Sequence, residues 1–140
     1  MPAFMNKLRN DDLGKLLLRI ATGGLMLFHG VAKLQNGVGG ISKMLEAKGL
    51  PGFIAYGSYL GEVAAPLLII IGLFTRPAAA ILAFTMINAI ALAHSGDLGK
   101  LTPPGGWMIE LPALFLFAAL ALVFMGAGKY SVSRGRGPWD

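Results

Sequence analysis

The chain contains no cysteine in 140 residues. That excludes disulfide staples, thiolate metal sites and dithiol redox chemistry carried by the chain itself. Charge is scarce as well. Only 14% of residues are charged, where a soluble domain carries about a quarter. There is no GxGxxG, no P-loop and no HExxH, so neither a dinucleotide fold nor a zinc protease has a motif to stand on. The net charge of +5 would suit nucleic acid, but the basic residues form no patch interleaved with aromatics. No nucleic-acid partner is expected, and the basic residues are read as topology signals.

What the chain has instead is apolar sequence in long uncharged runs. It is 55% hydrophobic with a mean hydropathy of +0.66, which reads as one integral membrane domain over residues 1–140 in contact with the lipid bilayer. Four runs, at about 13–33, 53–74, 77–94 and 107–125, predict an all-α four-helix bundle of four spans. The first is too long for a signal-peptide core and lacks a clear A-x-A site. Four spans put both termini on one side. Lys7, Arg9, Lys15, Arg19, Arg76, Lys129, Arg134 and Arg136 share that side, so the positive-inside rule places both termini in the cytoplasm of a multi-pass bacterial inner-membrane protein.

The connections are readable too. In the loop 35–52, Ile41, Met44 and Leu45 recur at i, i+3 and i+4 opposite Ser42, Lys43 and Glu46, which predicts a short amphipathic helix at the interface. Gly49 is placed to stop it in a left-handed conformation, with Leu50 packing back on Leu45 and Pro51 forbidding continuation. The turn Gly72–Pro77 is tight, and Pro77 is expected at the first helical position of span three. Pro103-Pro104-Gly105-Gly106 keep the loop before span four from being helical throughout.

Glu62 is the only charge inside the second run. A carboxylate at that depth costs about 3 kcal/mol on insertion scales, so it marks a functional site by default. Pro66, four residues on, clashes with the carbonyl of Glu62 and should free it. Glu62 is therefore the catalytic candidate, against the plainer use of stapling its helix to a neighbouring cation. His29 and Lys33 share a face at the end of span one, and Tyr59 lies one turn before Glu62. Asn88 and His94 fall in the outer half of span three, and Glu110 at the outer start of span four. His29, Lys33, Tyr59, Asn88, His94 and Glu110 are the ligand-binding candidates, converging on an outward-facing polar cavity floored by Glu62. Each has a plainer use: Lys33 can snorkel, Asn88 can bond a neighbouring helix, Glu110 can suit a helix N-terminus, and Arg19 can anchor at the inner interface. The spacing of His and Glu is not diagnostic of a metal, and none is assigned.

The residues Arg19-Ile20, Phe28-His29-Gly30-Val31-Ala32-Lys33, Gly49-Leu50-Pro51-Gly52, Glu62, Gly72-Leu73-Phe74-Thr75-Arg76, Ala93-His94 and Gly126-Ala127-Gly128-Lys129-Tyr130-Ser131 stand in an order that resembles the DoxX family of small four-span bacterial membrane proteins. The resemblance runs from about Leu16 to Arg134. It implies that Arg19, Lys33, Glu62, Arg76 and His94 occupy the family's recurrent polar positions. The chain departs from it in span four, where Trp107, Glu110 and Pro112 replace a Lys-Asn pair and a Gly-Gly step, and at Ser133, where relatives carry an acid. The family includes subunits of quinone-linked sulfur oxidation and a membrane partner in oxidative-stress complexes. This implies a redox-associated accessory subunit with no intrinsic cofactor, binding a quinone or serving a redox partner protein. Two other readings stay open. One is a small-solute transporter or channel, which needs a path through the apolar inner half by homo-oligomerising. The other is a structural scaffold in which the polar residues only pair.

Overall fold

The computed structural model describes residues 3–140. Met1 and Pro2 of the N-terminal polar stretch, and the side chain of Lys7 among the orientation-setting bases, lie outside the described residues. A short helix, α1 (Ala3–Leu8), leads into α2 (Asp11–Asn36). The break is written at Asn10, whose side-chain oxygen accepts the Leu13 N–H at 3.0 Å. Asp11 and Asp12 in the first turn suit the helix dipole. At 26 residues, α2 is about 39 Å long.

The amphipathic helix forms as α3 (Gly39–Ala47). Its end is a Schellman turn: Gly49 has φ +76°, its N–H reaches the Glu46 carbonyl at 3.0 Å, and the Leu50 N–H reaches the Leu45 carbonyl at 2.9 Å. α3 is seated on the bundle, because Leu45, Val38 and Ala55 form a small buried cluster with Ile41, Tyr59 and Leu92 around them.

The second apolar run is one helical rod, α4 (Gly52–Ile71), with a changing pitch. A 3₁₀ segment (Gly52–Tyr56) gives way to a single α-turn, a π-turn (Leu60–Ala64) and then regular α-helix from Ala65. Pro66 supplies the reason. It has no N–H and crowds the carbonyl four residues back, and the widened turn accommodates both while the Ala65 N–H bonds the Leu60 carbonyl. Gly72 closes α4 in the left-handed region at φ +73°. α5 (Thr75–Ala93) follows, starting two residues earlier than expected. Pro77 thus stands inside the first turn rather than at its first position, still where an N–H has no intrahelical partner.

Residues 95–109 fold as an ordered loop, closed by a Leu101–Trp107 bridge and by Trp107 Nε1 donating to the Leu98 carbonyl at 2.8 Å. That delays α6 (Glu110–Met125) to Glu110. α2, α4 and α5 are long and apolar enough to cross a membrane. α6 is apolar but has 16 residues, about 24 Å against a hydrocarbon core of about 30 Å.

The four rods close a ring in which α2 and α5 each pack on both α4 and α6. Met26, Ala65, Ile69, Ala78, Ala79, Leu82, Ala119 and Leu122 fill its centre. The start of α2 and the segment after α6 meet at one end, the terminal end, where the Lys129 N–H reaches the Asp12 carboxylate at 3.0 Å, and that segment is folded onto the bundle rather than trailing from it. Val132 and Ser133 N–H groups reach the Ile71 and Gly72 carbonyls, and the Asp140 carboxylate accepts the N–H groups of Phe74 and Thr75, at 3.2 and 2.8 Å, at the start of α5.

Candidate functional site

At the end of the bundle opposite the termini, Lys33 of α2 reaches across to α4 and its ammonium contacts the Glu62 carboxylate. Glu62 is 5% exposed, so this is an interior ion pair with one face of the lysine still accessible. Tyr59, one turn before Glu62, donates its hydroxyl to the Lys33 backbone carbonyl at 3.2 Å. That carbonyl lies in the last turn of α2, and the Gly37 N–H also bonds it at 2.7 Å. Tyr59 therefore fixes the backbone that carries the ammonium while Glu62 fixes the ammonium itself.

The pair depends on how closely α2 and α4 approach. One stripe of α2, at Arg19, Gly23, Met26, Gly30 and Lys33, faces α4. A Cβ at Gly30 would overlap the carbonyl oxygen of Glu62, and one at Gly23 would lie 2.7 Å from the Pro66 carbonyl oxygen. The carbonyl loosened by Pro66 is thus covered by Gly30 of the neighbouring helix rather than opening into a cavity. Gly61, beside Glu62, gives the same close approach to Thr85 of α5.

The remaining candidates are not gathered with this trio. His29 is exposed at the seam between α2 and α6, edge-on to Phe115 with ring centroids 6.2 Å apart. Asn88 is exposed on α5 and makes no hydrogen bond among the described residues. His94 is held by its own loop, with Nδ1 3.3 Å from an Asp97 oxygen, and Lys100 approaches the other oxygen at 3.5 Å. Glu110 is exposed beside Gly106, in an open apolar cleft of its own. The single chamber expected from all seven residues is not what the helices build. Turning a helix by one residue rotates a side chain by 100°, so residues at the same depth face different neighbours.

Arg19 is not a snorkelling anchor. It is 1% exposed. Its guanidinium donates to the carbonyls of Ile69, Ile70, Ala127 and Tyr130 at 2.8–2.9 Å. These groups belong to the last turn of α4 and the segment after α6, where carbonyls have no intrahelical donor. Arg76 does the same for α6, donating to Val123 and Phe124 at 2.7 and 2.9 Å. The signal for Arg19 was present in its spacing, since it shares the stripe of Gly23, Met26 and Gly30.

The DoxX family model matches residues 14–95, more than half of the chain. The chain is 33% identical over 123 residues to a Bacillus subtilis (strain 168) protein named "Putative oxidoreductase CatD", covering 88% of this chain and 85% of that one. It is 31% identical over 134 residues to the "Inner membrane protein YqjF" of Escherichia coli (strain K12), covering 89% and 92%. A Haemophilus influenzae protein without an assigned function is 34% identical over 111 residues, covering 79% and 81%. No solved structure matches the chain.

Proposed function

The chain belongs to the DoxX family of membrane proteins, and from that premise we propose that it is an accessory, ligand-binding subunit of a redox system in the bacterial inner membrane. In this reading α6 is the fourth span, lengthened at the interface by Trp107–Ile109, and both termini are cytoplasmic. The basic residues of the terminal end favour that orientation. One relative's name, an inner membrane protein, and another's, an oxidoreductase, favour the location and the chemistry.

The observation that carries the reading is the interior pair of Lys33 and Glu62 with Tyr59 at its side. Its donor set suits a quinone-type carbonyl: an accessible ammonium next to a carboxylate that can hold a proton. A quinone, when bound, would supply two-electron redox chemistry. The chain's own residues would do three things. Lys33 donates a hydrogen bond to a ligand oxygen, and Glu62 gives or takes the accompanying proton. Tyr59 keeps the last turn of α2 in register. Electrons would come from a partner protein. The packed interior of Ile69, Ala79, Leu82, Ala119 and Leu122 offers no path to the terminal end, which weighs against a solute channel through one copy.

Mass spectrometry of gently purified protein, wild type against Glu62→Ala, tests this. A defined small molecule retained by the wild type and absent from the variant is the expected result. Bulk lipid alone in both samples would sink the ligand site and leave the pair as a structural staple.

A further inference from the structure

Glu110 lies away from Glu62 in surroundings of a different kind. An open cleft of about 380 Å³ runs along the start of α6, lined by Trp107, Glu110, Leu111, Ala113, Leu114 and Phe117. Its walls are apolar except for the one carboxylate. Leu111, Leu114 and Phe117 are 53%, 68% and 64% exposed, so this is an outward face of the bundle and not a gap in its core. From Glu110 to Phe117 the cleft follows the helix for about 10 Å. Among the described residues the Glu110 side chain accepts no hydrogen bond and pairs with no cation. The neighbouring Lys100 is engaged by Asp97 and the Trp107 Nε1 by Leu98.

An unpaired carboxylate beside an indole, at the head of an apolar trough, is complementary to a cation on an apolar tail. The carboxylate attracts an ammonium, and a tryptophan face adds attraction to the same charge. The trough suits hydrocarbon, because Leu111, Leu114 and Phe117 offer no polar atom over those two turns. We propose that this cleft binds a phospholipid with a primary ammonium headgroup, its ammonium at Glu110 and Trp107 and an acyl chain along Leu114 and Phe117. This rests on α6 facing the bilayer, as in the proposed topology, but not on any ligand at Lys33 and Glu62. A small soluble amine would leave the trough empty, which is why a lipid is the assigned occupant. The site also gives a use to Trp107 and Glu110, two of the three residues by which span four departs from the family pattern.

Native mass spectrometry of the full chain from nanodiscs of equimolar phosphatidylethanolamine and phosphatidylglycerol tests the proposal. The wild type should retain phosphatidylethanolamine about fivefold over phosphatidylglycerol, the scale of one interfacial ion pair. Glu110→Gln, which keeps the shape and removes the charge, should bring that ratio to about one. Glu46→Gln, an exposed carboxylate on α3, should leave it unchanged. No preference in the wild type, or the same preference in Glu110→Gln, would overturn the site. Loss of bound phosphatidylethanolamine to millimolar ethanolamine would show that the headgroup alone suffices, and would overturn the lipid assignment. Circular dichroism of each variant separates loss of the site from loss of the fold. Because α6 must be lipid-facing for either lipid to be retained there, labelling of Leu114→Cys by a bilayer-confined maleimide checks that premise separately.

Discussion

Each end of this bundle holds a cation between helices, buried at Arg19 and partly exposed at Lys33, and the two are satisfied differently. At the terminal end Arg19 spends its guanidinium on four backbone carbonyls from two segments. At the far end Lys33 has one carboxylate, Glu62, and keeps part of its surface open. Backbone carbonyls at helix ends are fixed and carry only partial charge, so the arginine clamp is permanent. A lysine ammonium is a flexible point charge on a single partner, and the partner itself can take a proton. The first arrangement holds helices together. Under the proposed function, the second can be exchanged for a ligand.

The largest effect should come from breaking the clamp. Arg19→Met removes a charged donor set and orphans carbonyls in the interior, and should cost about 4 kcal/mol of stability. Reversible unfolding in mixed micelles measures it. A cost under about 1 kcal/mol would mean that the terminal end is held by apolar packing instead, and the contrast between the ends would collapse.

At the far end, Lys33→Met leaves an unpaired interior carboxylate and should cost about 3 kcal/mol, while Lys33→Met with Glu62→Met should recover most of that loss. A double-mutant cycle in the same assay gives the coupling. Recovered stability together with loss of the retained small molecule would sharpen the comparison to its strongest form: structural arginine, functional lysine. Additive single costs would show that the two side chains do not pair.

The smallest effect concerns the approach of the helices that makes the pair possible. Gly30→Ala drives a methyl group into the Glu62 carbonyl and should cost about 2 kcal/mol. Gly24→Ala, with nothing within 4 Å of the added carbon, should be neutral or stabilising by up to about 1 kcal/mol. Equal effects at the two glycines would mean that α2 and α4 can separate freely, and that Gly30 does not set the position of Glu62.

Much of this was legible in the chain. The Schellman stop at Gly49 and Leu50 follows from local pattern, because it is decided within a few residues of itself, whereas α2 starts two residues before and ends three beyond the expected 13–33. The irregular turn at Glu62 and Pro66 follows likewise from the missing N–H of proline. The partnership of Lys33 with Glu62 was also accessible, since an interior carboxylate needs a cation and Lys33 ends the preceding span. The gathering of His29, Asn88, His94 and Glu110 around it was not, because depth along a helix says nothing about azimuth. The burial of Arg19 lay within reach of its heptad spacing, but its acceptors are some 50 and 110 positions away in sequence.

Composition and run length by themselves determined that this is a helical membrane protein, because an uncharged apolar run of about 20 residues in lipid can satisfy its backbone polar groups only as a helix. Single glycines such as Gly49, Gly72 and Gly126 mark where helices stop, while the helix starts lie one to three residues from where the runs placed them. Only the tertiary structure decided which polar group meets which. That choice depends on how each rod is rotated against its neighbours, and the rotation is set by close contacts such as Gly30 on the Glu62 carbonyl and Gly61 on Thr85. The same packing separated Glu110 from Glu62 and turned one expected cavity into a partly accessible interhelical pair and an outward apolar cleft.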